Sequence, residues 1–207
     1  MFLSTLVLSS DKQLYSTLQM MDQVMVIDPV TLQINESVSS EFGEGMEMLN
    51  CMDYTMEMEC NMSSGCEWTM GACMESTDPD VMNTPHFIAL DEINGYWFVT
   101  TIASGFIAQY SLIDNSLIDS YFVGDAPALL AVDPINKKVY ASRMMSMNGM
   151  GDMMPSSESN LIQGLSYSAM GFSESGGQEY EINSPAPHGL AINDIGTEIY
   201  TASNTAD

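Results

Sequence analysis

Basic side chains are almost missing from this chain of 207 residues: Lys12, Lys137, Lys138 and Arg143 stand against 28 Asp and Glu, a formal net charge of −24. So lopsided a charge repels phosphate backbones and anionic lipid headgroups, which argues against nucleic-acid partners and membrane-surface binding. Long apolar runs are missing too. No stretch approaches the ~20 residues that span a bilayer, so membrane insertion is not expected. Histidine is confined to His86 and His188, and Arg143 is the sole arginine. No Ser-His-Asp order, Gly-x-Ser-x-Gly elbow or phosphate-cradling loop can be assembled from what remains, so catalysis is not the expected role.

What the chain does have is 45% hydrophobic residues, enough for a polypeptide of this length to bury a core. They recur in a pattern. The segments LSTLVLSSDKQLY, PHFIALDEINGYWFVTT, PALLAVDPINKKVYASR and PHGLAINDIGTEIYTAS each run an apolar stretch, a polar turn and a second apolar stretch containing an aromatic and small or hydroxylated residues. Pro85 and Pro127 are 42 positions apart and Pro127 and Pro187 are 60, the same unit with about 18 residues inserted.

The second unit is the clearest. Residues 86–91, 95–101, 106–112 and 117–123 alternate, are rich in β-branched and aromatic side chains, and are separated by Ile93-Asn94-Gly95 and Asp114-Asn115-Ser116. That predicts a four-stranded antiparallel meander of about 40 residues, the size of one propeller blade. The first unit places strands near 3–8, 13–19, 23–28 and 33–39. The third turns at Asp133-Pro134-Ile135-Asn136 and has outer strands at 161–167 and 178–183. The expected fold is therefore all-β: a partial β-propeller of about three and a half four-stranded antiparallel blades, with a small disulfide-rich insertion. Blades are expected at 1–42, 85–125 and 126–184, the last with a Met-rich loop at 144–160, and a half blade at 185–207. Because the repeat opens on an inner strand and stops half-way through a unit, the chain reads as a fragment with an artificial or internal Met1.

The progression from Pro-His-Gly through a turn to Tyr-Thr-Ala-Ser in PHGLAINDIGTEIYTASNTAD, together with LYSTLQMMDQVMVIDPVTLQI, resembles the YVTN family of β-propeller repeat proteins. The signature is degenerate here, standing as Phe98-Val99-Thr100-Thr101, Tyr140-Ala141-Ser142-Arg143 and Tyr200-Thr201-Ala202-Ser203. The resemblance implies the fold and leaves function open. It also brings in lactonase-like enzymes built on related propellers as one reading.

Two insertions ornament the repeat. Residues 43–84 hold all four cysteines, Cys51, Cys60, Cys66 and Cys73. An even count in a short polar segment predicts two disulfides, with three connectivities open, and an oxidising, extracytoplasmic setting. There is no Cys-x-x-Cys pair and no histidine in the segment, which argues against structural zinc. CNMSSGCEWTMGAC is loosely similar to plexin-type cysteine-rich modules, and only a small disulfide module is implied by that. The second insertion carries MMSMNGMGDMM, part of a total of 20 methionines. Thioethers in a polar loop have no core to fill and are soft ligands suited to Cu(I), so Met144, Met147, Met150 and Met153 are candidate copper ligands together with His86 and His188. Compositional drift is the plainer account of the methionines, and a structural role is the plainer account of the histidines.

Chain topology ties these features together. In a meander blade the connection from the fourth strand to the next blade, the connection between strands two and three, and the start of the first strand share one face. Both insertions and both histidines therefore belong on one side of the disc. The Pro-His-Gly element also resembles the one that supplies histidine ligands in the nitrous oxide reductase propeller, but Ala128 stands at the third repeat's equivalent place. The readings that follow are a secreted or surface-exposed binding propeller facing a protein or glycan partner, an extracytoplasmic copper-binding propeller, and a lactonase-like enzyme.

Overall fold

The computed structural model describes residues 6–9, 13–40, 66–69, 71–75, 84–124, 126–146, 157–173, 175 and 177–206. Among the described residues the elements are strands apart from one 3-10 turn. Sheet 1 is a meander of β1 (Leu6–Leu8), β2 (Leu14–Leu18), β3 (Gln23–Ile27) and β4 (Ile34–Ser39), with the 3-10 turn Gln19–Met21 between β2 and β3. A hairpin of β5 (Cys66–Thr69) and β6 (Ala72–Glu75) follows. Sheet 2 is β7 (Pro85–Asp91), β8 (Tyr96–Thr101), β9 (Phe106–Ser111) and β10 (Leu117–Phe122). Sheet 3 contains β11 (Pro127–Asp133), β12 (Lys138–Ser146) and β13 (Ser157–Ser168), and both β14 (Gly171–Phe172) and β15 (Gln178–Glu181) pair with β13. The pair β16 (Pro187–Ile192) and β17 (Ile199–Ser203) comes last. All the pairings are antiparallel.

The sheets pack face to face because the period of two along each strand sends alternate side chains into different interfaces. Trp97 and Val99 of β8, with Ala108 and Tyr110 of β9, meet Tyr15, Val24, Val26 and Val38 of sheet 1. Their neighbours Phe98 and Ile107 point the other way, onto Leu130, Val139, Ala141, Leu165 and Tyr167 of sheet 3. Sheet 2 is thus covered on both faces, which is why β8 reads as an unbroken apolar run where exposed β4 (INESVS) is mostly polar. Each large side chain so buried contributes about 1.5–3 kcal/mol.

Polar groups lock the interfaces at both ends. At one end, Asp91 and Asp133 each fold their own turn, accepting from Asn94 and Asn136, both backbone N–H and side-chain amide. The Asp91 carboxylate also accepts from the Tyr167 hydroxyl of sheet 3 at 2.6 Å, and the Asn94 amide donates to the Pro134 carbonyl at 2.9 Å. At the other end the inner strands β7, β11 and β16 each carry a ladder shift, between Pro85 and Phe87, Pro127 and Leu130, and Pro187 and Gly189. A hydroxyl satisfies the backbone group that the shift releases. Thr100 Oγ1 accepts from the Phe87 N–H and donates to the Ala128 carbonyl of the next sheet, and Ser142 Oγ accepts from the Leu129 N–H and donates to the His188 carbonyl.

Two expectations need correction. The Met-rich loop is not a loop from 144 to 160: the β12–β13 ladder continues past a shift after Arg143, pairing Met145 with Glu158 and Ser146 with Ser157, so Met144 stands in a strand. The outer edge of sheet 3 is not the single strand expected at 178–183: β15 (Gln178–Glu181) occupies that place, and a second short strand, β14, also pairs with β13. Met147, Met150, Met153, Cys51 and Cys60 lie outside the described residues. The backbones of Cys66 and Cys73 fall on the facing strands of the β5–β6 hairpin, which the sequence pattern does not announce.

Candidate functional site

The starts of β7 and β16 carry the two histidines, each immediately after the proline that opens an inner strand. Their rings approach edge to face with centroids 6.1 Å apart, although they are two repeats apart in sequence and Ala128, fully buried, holds the equivalent place between them. Gln19, in the 3-10 turn of sheet 1, meets His86 from the other side: its side-chain nitrogen is 2.7 Å from Nδ1. With Nδ1 facing this amide, a ligand would reach His86 through Nε2: as an acceptor from Nε2–H while the amide nitrogen donates to Nδ1, and as a metal ion only with the amide turned so that its oxygen accepts from Nδ1–H. Sheet 1, sheet 2 and the β16–β17 pair therefore converge on one spot.

Both insertions leave from this same edge. The first departs after Ser40 and returns at Thr84, and one residue holds both ends: the Asp22 carbonyl accepts from the Ser40 N–H at 2.8 Å, while the Asp22 carboxylate accepts from the Thr84 N–H at 2.6 Å. Asp22 manages this in a left-handed conformation, φ 47°, directly after the 3-10 turn. The second insertion departs after Ser146 and returns at Ser157. Beside it the Met144 thioether accepts from the Asn204 amide, Sδ to Nδ2 3.7 Å. Met20 and Met21, both exposed, complete the edge.

Of the residues singled out from the sequence, the structure brings His86 and His188 together and places Met144 on the same side. Gln19, Asp22, Ser142 and Asn204 were not anticipated. Only the hydroxyl position of the degenerate Tyr-Val-Thr-Asn segment could have pointed to one of them, Ser142. Among the described residues no group of three or more His, Cys, Asp or Glu is arranged to hold a metal ion. An open cavity of about 350 Å³ lies elsewhere, lined by Tyr121, Phe122, Val123, Gln163, Gly177 and Glu179 along the outer strands of sheets 2 and 3. Arg143 sits nearby, almost wholly buried, with its guanidinium on Glu179 and on Gln163 Oε1.

Both imidazoles are held below the ordinary histidine range. Burial is the main cause for His86, with the nearby His188 adding to it, and burial alone acts on His188. A histidine whose pKa is depressed by folding binds its proton more readily in the unfolded chain. Its neutral form therefore supports the fold fully above about pH 6.5, and that support is lost as pH falls through this value. The melting temperature should accordingly drop between pH 7 and 5, and drop less in the double variant His86→Asn/His188→Asn, since the carboxylates contribute alike to both. Identical pH profiles would show that the imidazoles do not couple to folding.

No family model matches the sequence, and no curated protein matches it either. Solved structures do. A chain of the hydrazine synthase of Kuenenia stuttgartiensis superposes with a TM-score of 0.64 at 13% identity, over 98% of this chain and 42% of that one. A chain of the mitotic checkpoint complex gives 0.59 at 13%, over 96% and 45%. A candidate 6-phosphogluconolactonase of Bacteroides uniformis gives 0.57 at 15%, over 96% and 46%. The chain spans less than half the length of each of these neighbours. With its antiparallel sheets, the likeness makes the fold all-β and propeller-like; at such identity it extends no further than the fold.

Proposed function

We propose that this chain is part of a β-propeller of the YVTN type that acts as a secreted or surface-exposed binding scaffold, presenting its decorated face to a protein or glycan partner. The supporting observation is the convergence of Gln19, His86 and His188 on the edge from which both insertions depart. Loops and strand ends gathered on a rigid sheet scaffold are where binding residues concentrate. The extracytoplasmic setting rests on the four cysteines of the first insertion. Screening the full chain against arrayed glycans and extracellular protein domains should yield a ligand whose affinity falls about tenfold or more in His86→Ala/His188→Ala. A ligand that tolerates this change, together with Met20→Ser/Met21→Ser, would place recognition elsewhere.

Copper binding at the same edge is a second reading, favoured by the spacing of the rings. An ion about 2.0–2.1 Å from one nitrogen of each imidazole puts the two ring centroids about 5–6.4 Å apart, depending on the angle at the metal. The observed 6.1 Å falls inside that window, and the edge-to-face rings would have to turn for a nitrogen of each to face one ion. Met144 would add a soft donor, and Met147, Met150 and Met153 would follow from the adjoining segment. Replacing the four methionines by leucine should leave the melting temperature unchanged and remove bound Cu(I). Unchanged copper stoichiometry would reject that ligand set. The lactonase-like reading has a shared fold behind it and nothing more.

A further inference from the structure

The face opposite the histidines is built from tight turns, and their tips are aliphatic. Ile93, Ile135 and Ile195 occupy one equivalent position in three successive sheets, two residues after Asp91, Asp133 and Asn193, and are 76%, 68% and 68% exposed. The turns adjoin. The Asn94 amide donates to Pro134, and Gly196 lies so close against Asp133 and Asn136 that no side chain would fit there. Farther from the axis, Ile113 and Met170, more than nine-tenths exposed, tip the outer turns of sheets 2 and 3. None of these side chains belongs to either core cluster. Turn positions favour Gly, Asn, Asp, Pro and Ser for conformational reasons, none of which calls for isoleucine. A lone exposed aliphatic residue is ordinary, but the same one repeated at equivalent places of adjoining turns forms a patch of the kind that marks an interaction surface.

The charges around the patch select its occupant. Glu92, Asp114, Asp194 and Glu198 are exposed on these same turns, against Lys137 and the half-buried Lys138. The Asp114 carboxyl is held below the usual range by hydrogen bonds, first from the Ser116 hydroxyl, so it stays ionised. A second copy would bring one acidic rim against another, on chains that each carry −24. Anionic lipid is repelled in the same way. We infer that the Ile93-Ile135-Ile195 face is a second docking surface, separate from the histidine edge, and that it takes a protein segment presenting aliphatic side chains among basic ones.

The full chain tests this with two synthetic probes at physiological salt: a short peptide alternating Lys and Leu, and one alternating Lys and Ser. Fluorescence anisotropy should show the Lys-Leu peptide bound about tenfold or more tightly than the Lys-Ser peptide. The triple variant Ile93→Ser/Ile135→Ser/Ile195→Ser should remove that preference with its melting temperature unchanged, because the side chains are exposed. Met20→Ser/Met21→Ser, on the histidine edge, should keep it, so the two surfaces stand or fall separately. Equal binding of both peptides, or a preference that survives in the triple variant, would overturn the inference. Isoleucine-dependent binding to phosphatidylcholine vesicles, or isoleucine-dependent self-association in sedimentation, would overturn it by assigning the face to lipid or to a second copy.

Discussion

Replacing Trp97 by alanine should destabilise the chain by about 3–5 kcal/mol, the range for emptying an aromatic site in a packed core. Trp97 is fully buried, stacks on Tyr110 with ring centroids 4.0 Å apart, and lies 5.5 Å from Tyr15 of sheet 1. Removing the indole would therefore open the interface between sheets 1 and 2 at its centre, where rigid strands on both sides cannot collapse into the gap. Trp97→Phe should cost much less, about 1–2 kcal/mol: it keeps most of the stacking, and the indole N–H it removes has no acceptor among the described residues. Urea unfolding followed by circular dichroism would measure both, since fluorescence would lose one of its two tryptophans. Equal losses for the two variants would mean that the buried N–H matters more than the ring.

The second large effect should come from Asp91. Its fully buried carboxylate closes the β7–β8 turn through Asn94 and receives the Tyr167 hydroxyl from the next sheet. Asp91→Ala should lower stability by about 3 kcal/mol, because it strands a buried phenol and two turn donors together. Tyr167→Phe should cost about 1–2 kcal/mol, since Asn94 continues to satisfy the carboxylate. The double variant should fall short of the sum by about 1 kcal/mol or more. Strict additivity in urea titrations would show that the contact between sheets carries no energy of its own.

Sheet 2 was legible almost residue by residue. Strands expected at 86–91, 95–101, 106–112 and 117–123 appear at Pro85–Asp91, Tyr96–Thr101, Phe106–Ser111 and Leu117–Phe122, because each turn announces itself with Asn, Asp or Gly and both faces of the sheet are apolar. The turn after β2 was placed between the strands expected at 13–19 and 23–28, but its 3-10 form was not legible. Gln19, Met20 and Met21 hold neither glycine nor proline, and Asp22 takes up the left-handed conformation itself. The extension of β12 to Ser146 was hidden for a different reason: its partners Ser157 and Glu158 lie across a polar, Met-rich stretch in which no alternation survives. For the candidate site, equivalence of the two Pro-His pairs placed both histidines on one edge. Their separation and their link to Gln19 depend on how inner strands of different sheets converge, which no local pattern encodes.

The clasp at Asp22 makes the molecule divisible into a constant part and a variable one. Because Ser40 and Thr84 are fastened to the same residue, the sheets experience whatever lies between them as a closed loop with fixed ends. Closing such a loop becomes harder only logarithmically with its length, by about 0.6 kcal/mol for each doubling. Segments of very different size and content could be spliced between these two positions with little penalty to the sheets beneath. The insertion is in this sense a cassette, and Asp22 is the fitting that would let evolution or an engineer exchange it.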